Sequence, residues 1–206
     1  MVLTPETTPE QLILASASSA RAGLLRNAGV TFAIKPSTVD EAPIKSEYRD
    51  AGRDAPACAM ALAEAKAHQV ATCRPEALVI GADQILVAGD EWFDKPADLI
   101  EAAAQLRRLR GRDHILVTAA CVYRDRARLW QAIAIPKLTM RCFGDAFLAS
   151  YIAAEGNAVL DSVGAYRLEG RGVQLFAKIE GDHFAILGLP LLELLEFLRG
   201  RGLVGE

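Results

Sequence analysis

The residues whose types and spacing could do chemistry are scattered along the chain. Residues 12–29 read LILASASSARAGLLRNAG, with an apolar strand at 12–15, small polar residues at 16–19, and a helix carrying Arg21, Leu24, Leu25 and Ala28. A strand that turns straight into a helix leaves backbone N–H groups at the helix start. The helix dipole adds partial positive charge there and Arg21 adds a full one. Ser16, Ser18 and Arg21 are therefore a candidate phosphate cradle, and the same letters also spell an ordinary helix with Ser18 as its N-cap. Asp83 ends the continuous apolar run LVIGA at 78–82. Such a run reads as a strand buried on both faces, and ligands of open α/β sheets bind outside the carboxyl ends of strands. A carboxylate at that point is costly unless paired, hydrogen-bonded or metal-bound, so Asp83 is the leading candidate for a catalytic or metal-holding acid. Glu41 belongs to the acidic pair of Val39-Asp40-Glu41. Lys66 falls at the edge of the apolar face of an alanine-rich helix, where its ammonium reaches either a cleft or solvent. Lys95 stands just before Pro96.

The elements that must position these residues follow from pattern. Residues 31–35 read as a strand stopped by Pro36, and 37–56, with Pro43, Gly52 and Pro56, as a long polar loop of the kind that often carries function. A helix follows at 57–73, with Ala59, Leu62, Ala63, Ala67 and Val70 near one face. After Asp83 and Gln84 the strand continues through Val87 to a turn at Gly89-Asp90. Then come a helix at 98–109, strands at 115–123 and 129–140 joined by a charged turn, and a helix at 143–154 ended by Gly156. The stretch 164–172 is glycine-rich, so its backbone can approach a ligand closely. A strand at 173–179 and a last amphipathic helix from Leu191 complete the chain. The weave predicts an α/β protein: a mixed twisted sheet with flanking helices, in two lobes around a cleft. Ser16, Arg21, Glu41, Lys66, Asp83 and Lys95 would line that cleft, within one domain over 1–206 whose first 11 residues are a short polar extension.

Composition narrows the partners. With 206 residues, 51% hydrophobic and 24% charged, the chain can bury a sizeable core. Its net charge of −3 offers no electrostatic grip on nucleic acid. The basic run Arg107, Arg108, Arg110 and Arg112 sits where a helix ends and suits the helix dipole. Cys58, Cys73, Cys121 and Cys142 lie at least 15 positions apart, which argues against zinc. His68, His114 and His183 are scattered and read as packing or surface residues. The apolar run LILA is too short to span a membrane and no signal peptide is legible, so the expectation is a reduced, cytoplasmic protein.

In order, LILAS-S-R-LL-G, VDE, LAEAKA, GADQ, KP, GAY-EG-G and GLPL resemble the Maf family of nucleoside triphosphate pyrophosphatases over nearly the whole chain. The resemblance implies a metal-dependent hydrolase with a nucleotide-binding cleft, commonly a homodimer, that splits a nucleoside triphosphate between the α and β phosphates. Such enzymes clean unwanted nucleotides from the pool. The family's phosphate-binding serines and second arginine carry over to Ser16, Ser18 and Arg21. Its glutamate carries over to Glu41, its helix lysine to Lys66, its proton-accepting aspartate to Asp83 and its lysine before proline to Lys95. Mg2+ or Mn2+ would be held by Glu41 and Asp83 together with substrate oxygens. Activation of water by the metal would contribute more than the basicity of Asp83 itself.

The sequence departs from the family's usual SxSPRR opening, since Ser19 and Ala20 replace the proline and first arginine. Three positions are taken to set base choice in the branch that cleaves dTTP and UTP, and here they are Ala20, Gln84 and Glu169. Gln84 and Glu169 look like the branch similar to the 7-methyl-GTP pyrophosphatases. A carboxylate can accept both adjacent donors of guanine's Watson–Crick edge, whereas uracil and thymine present carbonyls there. Ala20 cannot stack as the aromatic of that branch would. Ala185 stands where the family often has asparagine. The expected substrate is thus a modified purine triphosphate such as 7-methyl-GTP. The alternatives are a dTTP/UTP or broad-range pyrophosphatase, and a non-catalytic nucleotide-binding regulator of cell division.

Overall fold

The computed structural model describes residues 11–52 and 54–205. Most of the expected polar extension therefore lies outside the described residues. In chain order the elements are β1 (Leu12–Leu14), α1 (Ser19–Asn27), β2 (Ala33–Ile34), α2 (Glu41–Asp50), α3 (Ala55–Thr72), β3 (Leu78–Ala88), β4 (Glu91–Phe93) and α4 (Leu99–Leu109). They continue with β5 (Asp113–Arg124), β6 (Ala127–Ala134), β7 (Lys137–Met140), α5 (Asp145–Glu155), β8 (Phe176–Glu180), α6 (His183–Ile186) and α7 (Leu191–Arg199). The result is the expected mixed α/β architecture, an open mixed sheet flanked by helices.

The sheet is built on one antiparallel ladder, β3 against β5, running from Val79 opposite Tyr123 to Val87 opposite Ile115. On its outer edge β3 takes β1 at one end, at 78–80, and β4 at the other, at 86–88. On its own outer edge β5 takes β6 over 118–124 and β7 over 113–115. Two half-sheets therefore share the ladder: β2-β1-β3-β5-β6 and β4-β3-β5-β7-β8. Between the ends of β1 and β4, residues 81–85 of β3 pair with β5 on one side and have no strand on the outer edge among the described residues. Asp83 is the middle residue of that gap.

Side chains alternate across a strand, and here the two faces meet different helices. Val79 and Ile85, with Val117 and Cys121, pack under α3 through Ala59, Ala63, Ala67 and Val70. On the other face α1 and α7 cover Leu78, Ile80 and Val122 of the first half, while α4 and α5 cover Leu86, Leu116 and Leu138 of the second. The alanines let α3 settle close to the sheet. A Cβ on Gly81 would stand 2.1 Å from the Ala63 carbonyl oxygen, so only glycine admits the helix at this height. Burial pushes the Cys58 thiol up to about 11 and the Cys121 thiol up to about 12, which leaves both as inert packing.

Several sequence expectations are corrected. The segment 37–56 is no loop throughout: α2 occupies its middle, with Asp40 as N-cap accepting from the Ala42 amide. Pro43 lies in the first turn, where a missing N–H costs nothing. Pro56 likewise falls in the first turn of α3, which starts at Ala55. The strand expected at 129–140 is two, β6 and β7, because Pro136 lies between segments that pair with different stretches of β5. The strand expected at 31–35 shrinks to Ala33–Ile34. Residues 173–175 belong to a tight three-residue-per-turn helix, so the last strand starts at Phe176.

His114 is a core residue, as expected of a packing histidine, with 2% exposure. Its Nε2 lies 2.9 Å from the Tyr166 hydroxyl and its Nδ1 has no partner among the described residues. Burial pushes its pKa down from 6.5 to about 4. Between those values the unfolded chain binds the proton and the folded one does not, so stability rises with pH through the window. His114 should therefore cost about 3 kcal/mol of stability as pH falls from 7 to 4. Urea unfolding across that range checks it: His114→Gln should flatten the slope between pH 6.5 and 4.5, and an unchanged slope would refute the assignment.

Candidate active site

The gap on the β3 edge is where the charged residues gather. Asp83 points to the α3 face, and its Oδ1 lies 2.6 Å from the Lys66 ammonium. The same ammonium lies 2.6 Å from Glu41 Oε1. Lys66 reaches this point because α3 is held low over Gly81. Glu41 reaches it as the first residue of α2. Asp83 is 4% exposed, and its Oδ2 has no hydrogen-bond partner among the described residues. A buried carboxylate oxygen left unpaired is costly unless something else comes to it.

Arg21 closes the gap from the first half-sheet. Its Nε donates to the Gly188 carbonyl at 2.9 Å, and its Nη1 donates to the Ala82 carbonyl at 2.9 Å and to Ser16 Oγ at 3.2 Å. Gly188 has φ +107°, and a Cβ there would come within 3.1 Å of Arg21 Nε. Burial pushes the guanidinium below the ordinary arginine range, while Asp83 and Glu41 pull it back up. Three of its five N–H groups are committed, and those on Nη2 have no partner among the described residues. Ser18 is the N-cap of α1, accepting from the Arg21 amide at 3.3 Å, while its own amide donates to Ser16 Oγ at 3.2 Å. The cap and cradle readings of this turn thus coincide in one geometry.

The row of alternating charges runs on past the residues the sequence singles out. Lys45, one turn along α2 from Glu41, lies 3.2 Å from Glu41 Oε2 and 2.9 Å from Asp94 Oδ1. Arg49, another turn along, lies 3.1 Å from Asp94 Oδ2. Burial alone would raise the Glu41 pKa, but Lys66 and Lys45 hold it below the usual carboxylate range. Burial likewise opposes the ionised forms of Lys45 and Asp94, yet their mutual bond wins and keeps both charged. Sequence reading misses Lys45, Arg49 and Asp94. The spacing of 41, 45 and 49 is the available signal, once α2 is recognised as a helix.

The other expected site residues make no hydrogen bond or ion pair to Asp83, Lys66 or Glu41 among the described residues. Lys95 is exposed and forms no ion pair among the described residues. Gln84 points to the opposite sheet face from Asp83, and its Nε2 donates to Thr118 Oγ1 and to the Ala185 and Ile186 carbonyls. It thereby anchors the turn that presents Gly188 to Arg21. Glu169 is exposed and pairs with Arg167 at 3.5 Å. Ala20 is half-buried in the first turn of α1.

A divalent cation fits the donor set. Mg2+ takes one or two carboxylates and completes its shell with water and phosphate oxygens. Asp83 Oδ2 is buried and unpartnered among the described residues, and Glu41 is a second carboxylate beside the same lysine. Among the described residues no three His, Cys, Asp or Glu side chains form a closed metal cage.

A cationic row and two carboxylates at the broken edge of an α/β sheet define a site suited to a polyphosphate and a cation. The wider comparisons agree with this class. A family described as Maf-like protein matches residues 11–201. A nucleoside triphosphate pyrophosphatase of Granulibacter bethesdensis is 50% identical over 92% of this chain and 96% of its own length. One of Rhodospirillum rubrum is 49% identical over 94% and 96%. A 7-methyl-GTP pyrophosphatase of Rhizobium johnstonii is 46% identical over 96% and 98%. The chain belongs to the Maf family. No helix among the described residues is long and apolar enough to cross a membrane.

Proposed function

We propose that this protein hydrolyses a nucleoside triphosphate to the monophosphate and pyrophosphate, clearing unwanted nucleotides. The observation that carries the reading is Asp83: buried, fixed through one oxygen by Lys66, and without a hydrogen-bond partner at the other among the described residues. Relatives named nucleoside triphosphate pyrophosphatase and 7-methyl-GTP pyrophosphatase support it. A triphosphate carries about four negative charges, and Arg21, Lys66 and Lys95 would oppose them, with Ser16 and Ser18 at the phosphate end of α1. Asp83 Oδ2 orients the attacking water and receives its proton, while the Lys66 bond to Oδ1 fixes the carboxylate's direction. Glu41 and Asp83 would hold Mg2+ or Mn2+, which when bound supplies Lewis acidity toward the phosphoryl oxygens and a more acidic water.

For the base, Glu169 on its exposed turn suits a purine, and N7-methylation adds a positive charge that a carboxylate favours. The test is a panel of nucleoside triphosphates, methylated bases included, with pyrophosphate as the readout and Mg2+ or Mn2+ present. The expected order places 7-methyl-GTP above dTTP and UTP, and Glu169→Gln should lower kcat/KM for the purine at least about tenfold more than for the pyrimidines. Orthophosphate as the sole product would refute the reaction. A pyrimidine preference untouched by Glu169→Gln would refute the base assignment.

A further inference from the structure

Asp94 is a carboxylate gripped by two cations, one on each oxygen: Lys45 Nζ at 2.9 Å on Oδ1 and Arg49 Nη2 at 3.1 Å on Oδ2. Both cations come from α2, one turn apart, so the helix sets their separation. A phosphoryl group presents oxygens to cations in the same way as a carboxylate, with more charge. Asp94 is half-exposed, with 49% of its side chain accessible. It lies between the last residue of β4 and the N-cap of α4 at Asp98, and Gln105 of α4 donates to its backbone carbonyl at 3.0 Å, so displacement of its carboxylate needs a turn of the side chain alone. Beside the grip lies a cavity of about 350 Å³, lined by Asp40, Glu41, Lys45, Ser46, Arg49 and Asp94 among others. The other acids on this wall are occupied. Asp40 caps α2, Asp50 accepts from Ser46, and Glu41 serves Lys66 as well as Lys45. Lys45 is also the next cation after Lys66, with only Glu41 between them.

We propose that Lys45 and Arg49 form the subsite for the terminal phosphoryl group of the triphosphate, and that Asp94 is a carboxylate stand-in which this group displaces. The inference rests on the triphosphate-cleaving reading above and extends it: the half of the substrate that leaves as pyrophosphate is held by α2. Lys66 and Arg21 then face the phosphate nearer the nucleoside.

Inorganic pyrophosphate is the probe, used as a competitive inhibitor of the full-length protein and titrated directly by calorimetry with Mg2+ present. Lys45→Met should weaken pyrophosphate binding and raise KM for the triphosphate at least about tenfold, with the inhibition constant of the nucleoside monophosphate unchanged. Asp94→Asn should do the reverse, tightening pyrophosphate binding and lowering KM, because it frees the two cations. A tether that merely held α2 in place would instead make Asp94→Asn and Lys45→Met weaken binding alike, and that outcome overturns the proposal. So does unchanged pyrophosphate affinity in Lys45→Met when the wild type binds and releases pyrophosphate. A wild type that neither binds nor releases it defeats the underlying reading instead. Thermal melts of both variants check that the fold is kept.

Discussion

Asp83→Asn should lower kcat for pyrophosphate release by about a thousandfold or more, in the range that positioned general bases contribute. Asparagine keeps the shape of the side chain and replaces an anionic oxygen with an amide. It can neither accept the water's proton nor bind a divalent cation with a full charge. The fold should survive, because Lys66 retains Glu41 at 2.6 Å as its counter-ion. Substrate binding should weaken little, since Arg21, Lys66 and Lys45, the cations proposed to meet the phosphates, remain. The measurement is steady-state pyrophosphate release beside a thermal melt and a nucleotide-binding titration. Activity within tenfold of wild type, with the fold intact, would remove Asp83 from the chemistry. A variant that binds the triphosphate tightly without turnover also gives the reference state against which a regulatory, non-hydrolysing role can be compared.

Lys66→Met should be nearly as damaging, for a different reason. Lys66 is the one cation that contacts both Asp83 and Glu41 among the described residues. Removing it leaves a buried carboxylate and a half-buried one facing each other. Breaking a buried pair by deleting one partner costs roughly 3–5 kcal/mol, and the accessibility of Glu41 lowers that to about 2–3. The folded variant should lose at least about a hundredfold in kcat/KM, through misorientation of Asp83 and loss of a phosphate contact. Its stability should also respond to Mg2+ more than the wild type's, because a divalent cation can replace the missing charge between the two acids. Melting curves with and without Mg2+ read this directly. Equal metal-induced shifts in Lys66→Met and wild type would exclude Glu41 and Asp83 as a cation-holding pair.

How much of this is legible in the sequence depends on how locally each feature is encoded. β3 announces itself, because a strand buried on both faces must be apolar at nearly every position. Asp83 stands out against that background for the same reason. Glu41, Lys66 and Arg21 are legible as residue types in a family order, and the structure brings them to Asp83 and its neighbour Ala82. α2 is hidden because Pro43 and Pro56 read as breakers, when both fall in first turns that need no N–H at that point. With α2 unseen, the grip of Lys45 and Arg49 on Asp94 cannot be read, since it joins residues 49 and 45 positions apart through packing alone. Gln84 shows the opposite limit. Its neighbour in sequence is the catalytic candidate, yet strand alternation sends it to the far face, where it holds backbone carbonyls of the α6 turn.

The two half-sheets share β3 and β5, so they cannot swing apart as rigid doors without bending continuous strands. The floor of the site is therefore stiff. Its rim is not built the same way, because α2 contains no buried residue and is fastened beside the gap by ion pairs reinforced by partly buried Ile44 and Tyr48. Ion pairs of that kind weaken as salt rises, over a screening length of about 10 Å at 0.1 M, whereas an apolar floor does not. Ionic strength thus acts on this molecule as a selective solvent: it loosens the helix that lines the mouth of the site and leaves the strand that carries Asp83 where it is.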